Sequence, residues 1–142
     1  MNYAFTKGKI LDGTKDMQVQ TGLCILVQDG TITDIVPDTA DLSGYETIDL
    51  QGRYIMPGLI NMHVHLAGNG KPQKKQRDNE KLVKKIMRSS LTRAIAYKIV
   101  SGFAKDELLS GVTTIRTVGG LGSFDTRLRD EIAAGTKVGP RI

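Results

Sequence analysis

The only two histidines of the chain, His63 and His65, lie two residues apart in an apolar segment that follows Pro57-Gly58. Neutral imidazole is the commonest metal ligand in proteins. Side chains two apart on a β-strand point to the same face, so both rings can bind one ion without distorting the backbone. Catalytic zinc normally takes three protein ligands and structural zinc four, and the chain has no third histidine. The pair therefore predicts a partial metal site, and a pair of ordinary strand histidines is the alternative.

Strand-like and helix-like segments alternate after Pro57-Gly58. Residues 59–66 are typical of an apolar, buried strand, residues 112–118 of a second strand, and residues 139–142 of the start of a third. The segments between them are helical, over 78–100 and 124–134. This alternation favours parallel βα units. A complete eightfold barrel needs about 250 residues, so residues 58–142 correspond to about a third of one.

The long helical segment has an apolar face at three- and four-residue spacings, opposite its lysines. Asp78 or Asn79 is the expected N-cap, Gly102 is expected to break or bend the helix, and Ser110-Gly111 is the expected end. The preceding loop, 67–76, is long enough to be functional or mobile. The predicted apolar face consists of Leu82, Val83, Ile86, Met87, Leu91, Ala94, Ile95 and Ile99.

The segment before Pro57 has short β-prone runs separated by turns, which predict a small antiparallel sheet. Asp29-Gly30 predicts a hairpin with a type I′ turn, because both residues tolerate positive φ. The predicted fold class is α/β: a small antiparallel β-sandwich-like module over 1–57, then the first two to three βα units of an incomplete TIM-type barrel over 58–142. The predicted strands of the first module are Ala4–Leu11, Leu23–Gln28, Thr31–Val36 and Glu46–Leu50.

Composition excludes several classes of function. The 142-residue chain has no signal-peptide-like start and no apolar run of about 20 residues, so we expect a cytoplasmic protein without a membrane partner. Cys24 is the only cysteine, which rules out a disulfide within the chain and favours a small buried hydrophobe. The net charge is +5, and the basic excess is local, because residues 71–93 contain nine basic residues against Asp78 and Glu80. That stretch lacks the aromatic residues of nucleic-acid binding sites, so we expect a solvated helix face and no nucleic-acid partner.

Other residues that could bind a ligand or act in catalysis have simple structural interpretations. Gly119-Gly120 is better explained by a βα turn than by phosphate binding. Asp125, Asp130 and Glu131 lie on a short helix and are expected to be solvated charges. Arg116, inside a strand, is suited either to contact a substrate or to pair with a carboxylate. We therefore assign neither a catalytic nor a cofactor-binding residue to this chain.

Two longer motifs carry a family resemblance. Residues 48–65, IDLQGRYIMPGLINMHVH, resemble the entry to the barrel of the metal-dependent amidohydrolase superfamily. The segment 110–120, SGVTTIRTVGG, is similar to the second βα unit of its imidazolonepropionase-like and Xaa-Pro dipeptidase-like branch. Residues 128–135 with 139–142 are similar to the end of that unit and the third strand. The resemblance extends from Lys7 onward and identifies the chain as an amino-terminal portion of such a protein.

This resemblance implies that His63 and His65 bind the more buried divalent metal, most simply zinc. It also implies a metal-activated water that attacks an amide, cyclic amide or dipeptide of low molecular mass. The remaining ligands and the general base would lie beyond Ile142, so we expect low metal occupancy and no activity of this chain alone. Asn61 and Thr117 depart from the family pattern, in which many members have Asp.

Two functions remain open. The chain is either the amino-terminal portion of a metal-dependent hydrolase of carbon–nitrogen bonds, or a truncated, non-catalytic homologue. An incomplete barrel exposes strand edges and apolar faces, which predicts self-association in the second case.

Overall fold

The computed structural model describes residues 1–68 and 78–142. This part of the chain forms two compact units, residues 1–57 and residues 58–142. Within it, no helix is both long enough and apolar enough to span a membrane. Most of the predicted loop 67–76 lies outside the described residues.

The first unit consists of short strands in two sheets. β1, β3, β4 and β5 form a four-stranded sheet in the order β4-β3-β1-β5, and β2 pairs with β6. The strands are β1 (Asn2–Thr6), β2 (Lys9–Ile10), β3 (Leu23–Gln28), β4 (Thr31–Pro37), β5 (Glu46–Asp49) and β6 (Tyr54–Ile55).

The prediction of a purely antiparallel module is wrong. β3 is antiparallel to both β1 and β4, but β1 pairs in parallel with β5, and β2 in parallel with β6. The predicted strand Ala4–Leu11 is divided at Lys7, where φ is 53°, and Gln51 with φ 52° lies in the matching bend between β5 and β6. The Gly52 amide donates to the Lys7 carbonyl over 2.8 Å. The two segments therefore bend side by side, which keeps the pairing parallel on both sides of the bend.

The predicted hairpin between β3 and β4 is confirmed. Asp29 and Gly30 have φ values of 48° and 80°, as a type I′ turn requires. Cys24 and Ile25 are consecutive in β3 and both are buried, so both faces of this strand are covered. Burial raises the pKa of the Cys24 thiol, and the Asp38 carboxylate adds to that shift. A raised pKa favours the protonated thiol, which is the less nucleophilic form.

The second unit is built from parallel βα units, which confirms the α/β class. β7 pairs in parallel with β8. The Arg141 amide donates to the Thr113 carbonyl and the Ile115 amide donates to the Arg141 carbonyl, both over 2.8 Å, so the chain returns beside β8 after the last helix. The elements are β7 (Leu59–Val64), α1 (Asn79–Met87), α2 (Ser90–Leu109), β8 (Val112–Thr117) and α3 (Phe124–Ala133).

The long predicted helix is two helices, and the break is not at Gly102. Asp78 caps α1 by accepting a hydrogen bond from the Lys81 amide at 3.0 Å. The chain then breaks before α2, where Ser89 is the new N-cap and accepts from the Thr92 amide at 3.2 Å. Gly102 lies inside the continuous helix α2. A glycine lowers the stability of a helix but does not prevent it from forming.

Of the predicted apolar face, Met87 at the end of α1 packs partly against the core, but in α2 the face that packs is not the one predicted. Leu91 is 69% exposed and Ile95 is 53% exposed. A different face of α2 reaches the core, where the helix packs against β8. The buried core of this unit consists of Val64, Leu66, Tyr97, Val100, Ala104, Ile115, Phe124 and Leu128.

The strand β7 is also less buried than its composition predicts. Val64 and the following Leu66 are buried, but Ile60 is 64% exposed and Met62 is 59% exposed. In the part of the chain that is described, β7 has one hydrogen-bonded neighbour, β8. Its second edge and much of its surface are therefore free of protein contacts there.

Candidate metal centre

Gly58 brings β7 into register beside β8. A Cβ atom at this position would lie 2.0 Å from the Thr113 hydroxyl oxygen and 2.6 Å from the Thr113 Cβ, so a side chain does not fit. The next amide, that of Leu59, donates to the Gly111 carbonyl over 2.9 Å. The Pro57-Gly58 segment therefore fixes where β7 begins, and with it the position of both histidines.

The two histidines lie together at the carboxyl end of β7. The centroids of the His63 and His65 rings are 5.2 Å apart, with an angle of 70° between the ring planes. Both side chains are exposed. Zinc binds imidazole nitrogens at about 2.0–2.1 Å, and rings this close can turn nitrogens toward one ion. The structure thus brings together the two residues that the sequence singled out.

The backbone is irregular where the histidines lie. The pairing of β7 with β8 shifts register between Asn61 and Val64. The Asn61 side-chain oxygen accepts a hydrogen bond from the His63 amide at 3.2 Å. Irregular strand positions of this kind re-aim side chains and are frequent beside functional sites. Asn61 thus supports the local backbone at the first histidine.

The end of β8 reaches the second histidine. The Val118 amide donates to the Val64 carbonyl at 3.1 Å, which joins the two strand ends one residue before His65. Gly119 has φ 142°, a conformation that favours glycine. A Cβ atom at Gly119 would lie 3.6 Å from Nδ1 and 3.7 Å from Cε1 of His65. The imidazole therefore lies beside the backbone of Gly119.

Asp125 is not a fully solvated charge, contrary to the prediction. It is half-buried in the first turn of α3, and its Oδ2 accepts a hydrogen bond from the Thr117 hydroxyl at 3.1 Å. A Cβ atom at Gly120 would lie 2.8 to 2.9 Å from three atoms of the Asp125 carboxyl group. Sequence periodicity gives no signal for such a contact, because it depends on where α3 begins relative to β8.

Glu131 and Asp130 make contacts elsewhere on α3. Glu131 accepts hydrogen bonds from the Tyr97 hydroxyl and from Nε of Arg127, both at 2.7 Å. Burial, followed by the hydrogen bond and the charge of Glu131, raises the pKa of Tyr97 to about 12. Asp130 pairs with Arg129 on the surface. The hydrogen bond between Tyr97 and Glu131 joins α2 to α3.

The donor set determines how far the residues present fit a metal ion. Two imidazoles are available at one strand end, which suits zinc chemically. Among the described residues, however, there is no group of three or more His, Cys, Asp or Glu side chains that could hold an ion. Arg116 is exposed, and no carboxylate of the described residues forms a salt bridge with it. The described residues could therefore supply two ligands of a metal site, His63 and His65.

Comparison with known proteins places this segment in a family. A profile of the amidohydrolase family matches residues 46–118, slightly more than half of the chain. A dihydroorotase of Trichlorobacter lovleyi is 37% identical over 70 residues, which cover 49% of this chain and 16% of that protein. An imidazolonepropionase of Salmonella paratyphi A is 34% identical over 113 residues, covering 69% of this chain and 28% of that protein. The chain thus spans less than a third of the length of these curated relatives.

Solved structures agree with the sequence matches. A Xaa-Pro dipeptidase is similar over 100% of this chain and 32% of its own, with 29% identity and a TM-score of 0.74. A molinate hydrolase is similar over 99% of this chain and 29% of its own, with 27% identity and a TM-score of 0.73. The resemblance seen in the sequence is confirmed, and the chain belongs to the amidohydrolase family.

Proposed function

We propose that this chain is part of a metal-dependent hydrolase of carbon–nitrogen bonds, in which His63 and His65 are metal ligands. The observation that supports this most directly is the pairing of the two imidazoles at the carboxyl end of β7. In βα barrels, active sites lie at that end of the strands. The segment that holds the pair is also the one that matches the amidohydrolase profile.

A bound zinc ion would lower the pKa of a water molecule toward about 7 and polarise a substrate carbonyl. The role of this chain is to position two imidazoles next to each other at the carboxyl end of β7. Two protein ligands make a weak, open site, so we propose low occupancy in the 142-residue chain. We assign no catalytic residue to it, and activity would require groups from another segment.

The two structural units support a matching division of domains. We propose that residues 1–57 form a small β module and that residues 58–142 form the amino-terminal part of a (β/α)8 barrel. The relatives named imidazolonepropionase, dihydroorotase and Xaa-Pro dipeptidase favour an amide, cyclic amide or dipeptide of low molecular mass as the substrate. Pocket residues from outside this chain would select among them.

Zinc titration calorimetry tests the ligand assignment. The parent chain should bind about one zinc ion with a weak dissociation constant, and the double variant His63→Gln, His65→Gln should lose that binding. Because the chain has only these two histidines, the double variant is free of imidazole and measures the background directly. Equal binding by both proteins would contradict the assignment.

An activity assay separates the enzyme from its alternative. We expect the purified 142-residue chain to leave Xaa-Pro dipeptides and cyclic amides intact at saturating zinc. Hydrolysis that disappears with a chelator and in the double histidine variant would show that this chain alone completes a catalytic site.

A second candidate function is favoured by the exposed surface of β7. The strand has a free edge among the described residues, with Ile60 and Met62 open to solvent. Exposed apolar edge strands promote association. In this case the chain would be a non-catalytic homologue that self-associates through β7.

Sedimentation velocity tests that alternative. Ile60→Lys should shift an oligomer toward the monomer, because a charged side chain on an edge strand disfavours pairing. Val138→Lys is the matched control, since Val138 is 66% exposed and lies outside β7. A parent chain that is monomeric at high concentration would exclude self-association.

A further inference from the structure

We propose that Asp125 is a positioning residue that fixes His65 through the turn Gly119-Gly120. This inference rests on the proposed role of His65 as a metal ligand. The sequence motifs do not connect these two residues. Asp125 lies on α3, which follows β8, whereas His65 follows β7.

The first step is the contact between α3 and β8. The Thr117 hydroxyl donates to Oδ2 of Asp125 at 3.1 Å, and Oδ1 of Asp125 accepts from the Thr126 amide at 3.1 Å. Both carboxylate oxygens are thus engaged, and the carboxyl group is held at the last residue of β8. Ser123, the N-cap of α3, makes no side-chain capping bond. The Asp125 side chain is therefore the polar link between the start of α3 and the end of β8.

The second step is the contact of the carboxyl group with the turn. The space that a side chain at Gly120 would need is occupied by the Asp125 carboxyl group, with all three of its atoms within 2.9 Å of that position. The Asp125 carboxyl group therefore packs against one side of the turn. Its other glycine, Gly119, lies beside the His65 ring, whose Nδ1 and Cε1 atoms are the nearest ones.

These contacts form one continuous path. The Asp125 carboxyl group accepts a hydrogen bond from Thr117 and lies against Gly120, and Gly119 lies beside the His65 imidazole. The hydrogen bond between Val118 and Val64 keeps the two strand ends at a constant separation. Groups that orient a ligating imidazole through outer contacts raise metal affinity. If the link through Thr117 is lost, the turn can move and the orientation of His65 becomes less defined.

The test uses two readouts and a pair of variants at Thr117. Thr117→Val removes the hydroxyl at nearly constant volume, and Thr117→Ser keeps it. We expect Thr117→Val to shift and broaden the imidazole signals of His65 in long-range proton–nitrogen spectra of the metal-free chain. We also expect zinc affinity to fall, by less than the roughly 10- to 100-fold that follows the loss of a direct hydrogen-bond partner of a ligating imidazole, because this contact acts through the turn. Thr117→Ser should restore both parent values, and His63→Gln assigns the two sets of imidazole signals.

Variants on α3 provide the second arm. Asp125→Ala should reproduce the effect of Thr117→Val, whereas Asp125→Asn, which keeps an acceptor oxygen, should lie near the parent. Asp130→Asn, on the same helix but paired with Arg129, should change neither readout. Circular dichroism confirms that each variant is folded, and the Thr117 pair decides the outcome if Asp125→Ala is not.

Three results would overturn or separate the claims. Parent-like spectra and affinity in Thr117→Val would refute the positioning role, as would equal losses in Thr117→Val and Thr117→Ser. If the double histidine variant binds zinc as the parent does, the proposed metal ligands are wrong. In that event the metal-free imidazole spectra still decide whether Asp125 positions His65.

Discussion

The strands β3 and β7 have similar compositions but very different surroundings. Each contains six residues, most of them apolar, and both runs predict burial. β3 lies between β1 and β4, and its second and third residues, Cys24 and Ile25, are 1% and 6% exposed. β7 pairs with β8 alone among the described residues, and Ile60 is 64% exposed.

The difference shows that the burial of a strand is decided by its neighbours more than by its own sequence. An apolar run in the sequence indicates that burial of the strand is favourable, but only tertiary contacts bury it. In the second unit, the strand that lacks cover is the one that holds the histidine pair. The stability of β7 must therefore come from β8, from the tight entry at Gly58, and from the helix layer beneath Val64 and Leu66.

Matched truncations of Ile25 and Ile60 provide the strongest test of this comparison. Ile25→Ala removes buried methyl groups and leaves a cavity, so we expect the free energy of unfolding to fall by about 2–5 kcal/mol. Ile60→Ala removes the same atoms from an exposed site, and we expect a change within about 0.5 kcal/mol. Urea denaturation followed by circular dichroism measures both.

The stability change in Ile60→Ala shows whether β7 is exposed in solution. A loss comparable to that of Ile25→Ala would mean that β7 is covered in solution, by another copy of the chain or by another segment. Repeating the measurement at tenfold lower protein concentration distinguishes these two, because only cover by a second copy depends on concentration.

The entry to β7 should be the next most sensitive position. Gly58→Ala places a Cβ atom against the Thr113 side chain, so Thr113 or the strand must shift, and we expect a loss of about 1–3 kcal/mol. Hydrogen exchange, measured by mass spectrometry on peptides covering β7 and β8, should become faster in this variant.

Gly68→Ala is the control for Gly58→Ala. Among the described residues, no atom lies within 4 Å of a Cβ built at Gly68, so this substitution should leave exchange in β7 and β8 unchanged. Equal protection of the two strands in both variants would indicate that the approach of Gly58 to Thr113 does not hold β7 in place.

Local signals in the sequence predicted the parts of the fold that depend on short-range chemistry. The Asp29-Gly30 hairpin, the Asp78 cap and the end of α2 at Ser110-Gly111 all follow from residues that satisfy nearby backbone groups or adopt positive φ. The same holds for the pairing of His63 with His65, because the alternation of a strand brings residues two apart together.

Features that depend on distant residues were not predictable in this way. The parallel pairing of β1 with β5 joins segments far apart in the sequence, and the bends at Lys7 and Gln51 that continue it into β2 and β6 match only in the folded unit. The apolar stripe through Leu91 and Ile95 has helical periodicity, but the surface that packs on β8 lies elsewhere on α2. The contact of Asp125 with Thr117 likewise requires the placement of α3.

The helix layer beneath β7 should respond to pH through Tyr97. Its hydroxyl donates to Glu131 at 2.7 Å, and Tyr97→Phe removes that bond, so we expect a loss of about 1 kcal/mol near neutral pH. Ile132→Val, which trims one methyl group of the same layer, is the control for general loosening. Urea denaturation at several pH values measures both variants.

The raised pKa of Tyr97 predicts that the free energy of unfolding falls at alkaline pH. The pKa of Tyr97 is raised from 10.0 to about 12, mainly by burial and then by Glu131, so folding favours the protonated phenol. Its contribution is complete below pH 10 and is lost as the pH rises toward about 12. Tyr97→Phe should therefore flatten the pH dependence of unfolding in that window, and an unchanged slope would contradict the shift.

The smallest expected effect is a gain in stability at Gly102, which tests whether α2 is continuous beneath the strands. Gly102 lies within α2, and no atom of residues 1–68 or 78–142 lies within 4 Å of a Cβ built there. Gly102→Ala should raise the free energy of unfolding by about 0.5–1 kcal/mol, because Ala loses less backbone entropy in a helix. Gly111→Ala, at φ 93°, should instead be destabilising. A loss of stability in both variants would mean that α2 bends at Gly102 in solution. A bent α2 would pack less well against β8, and β8 would then support β7 less than the structure shows.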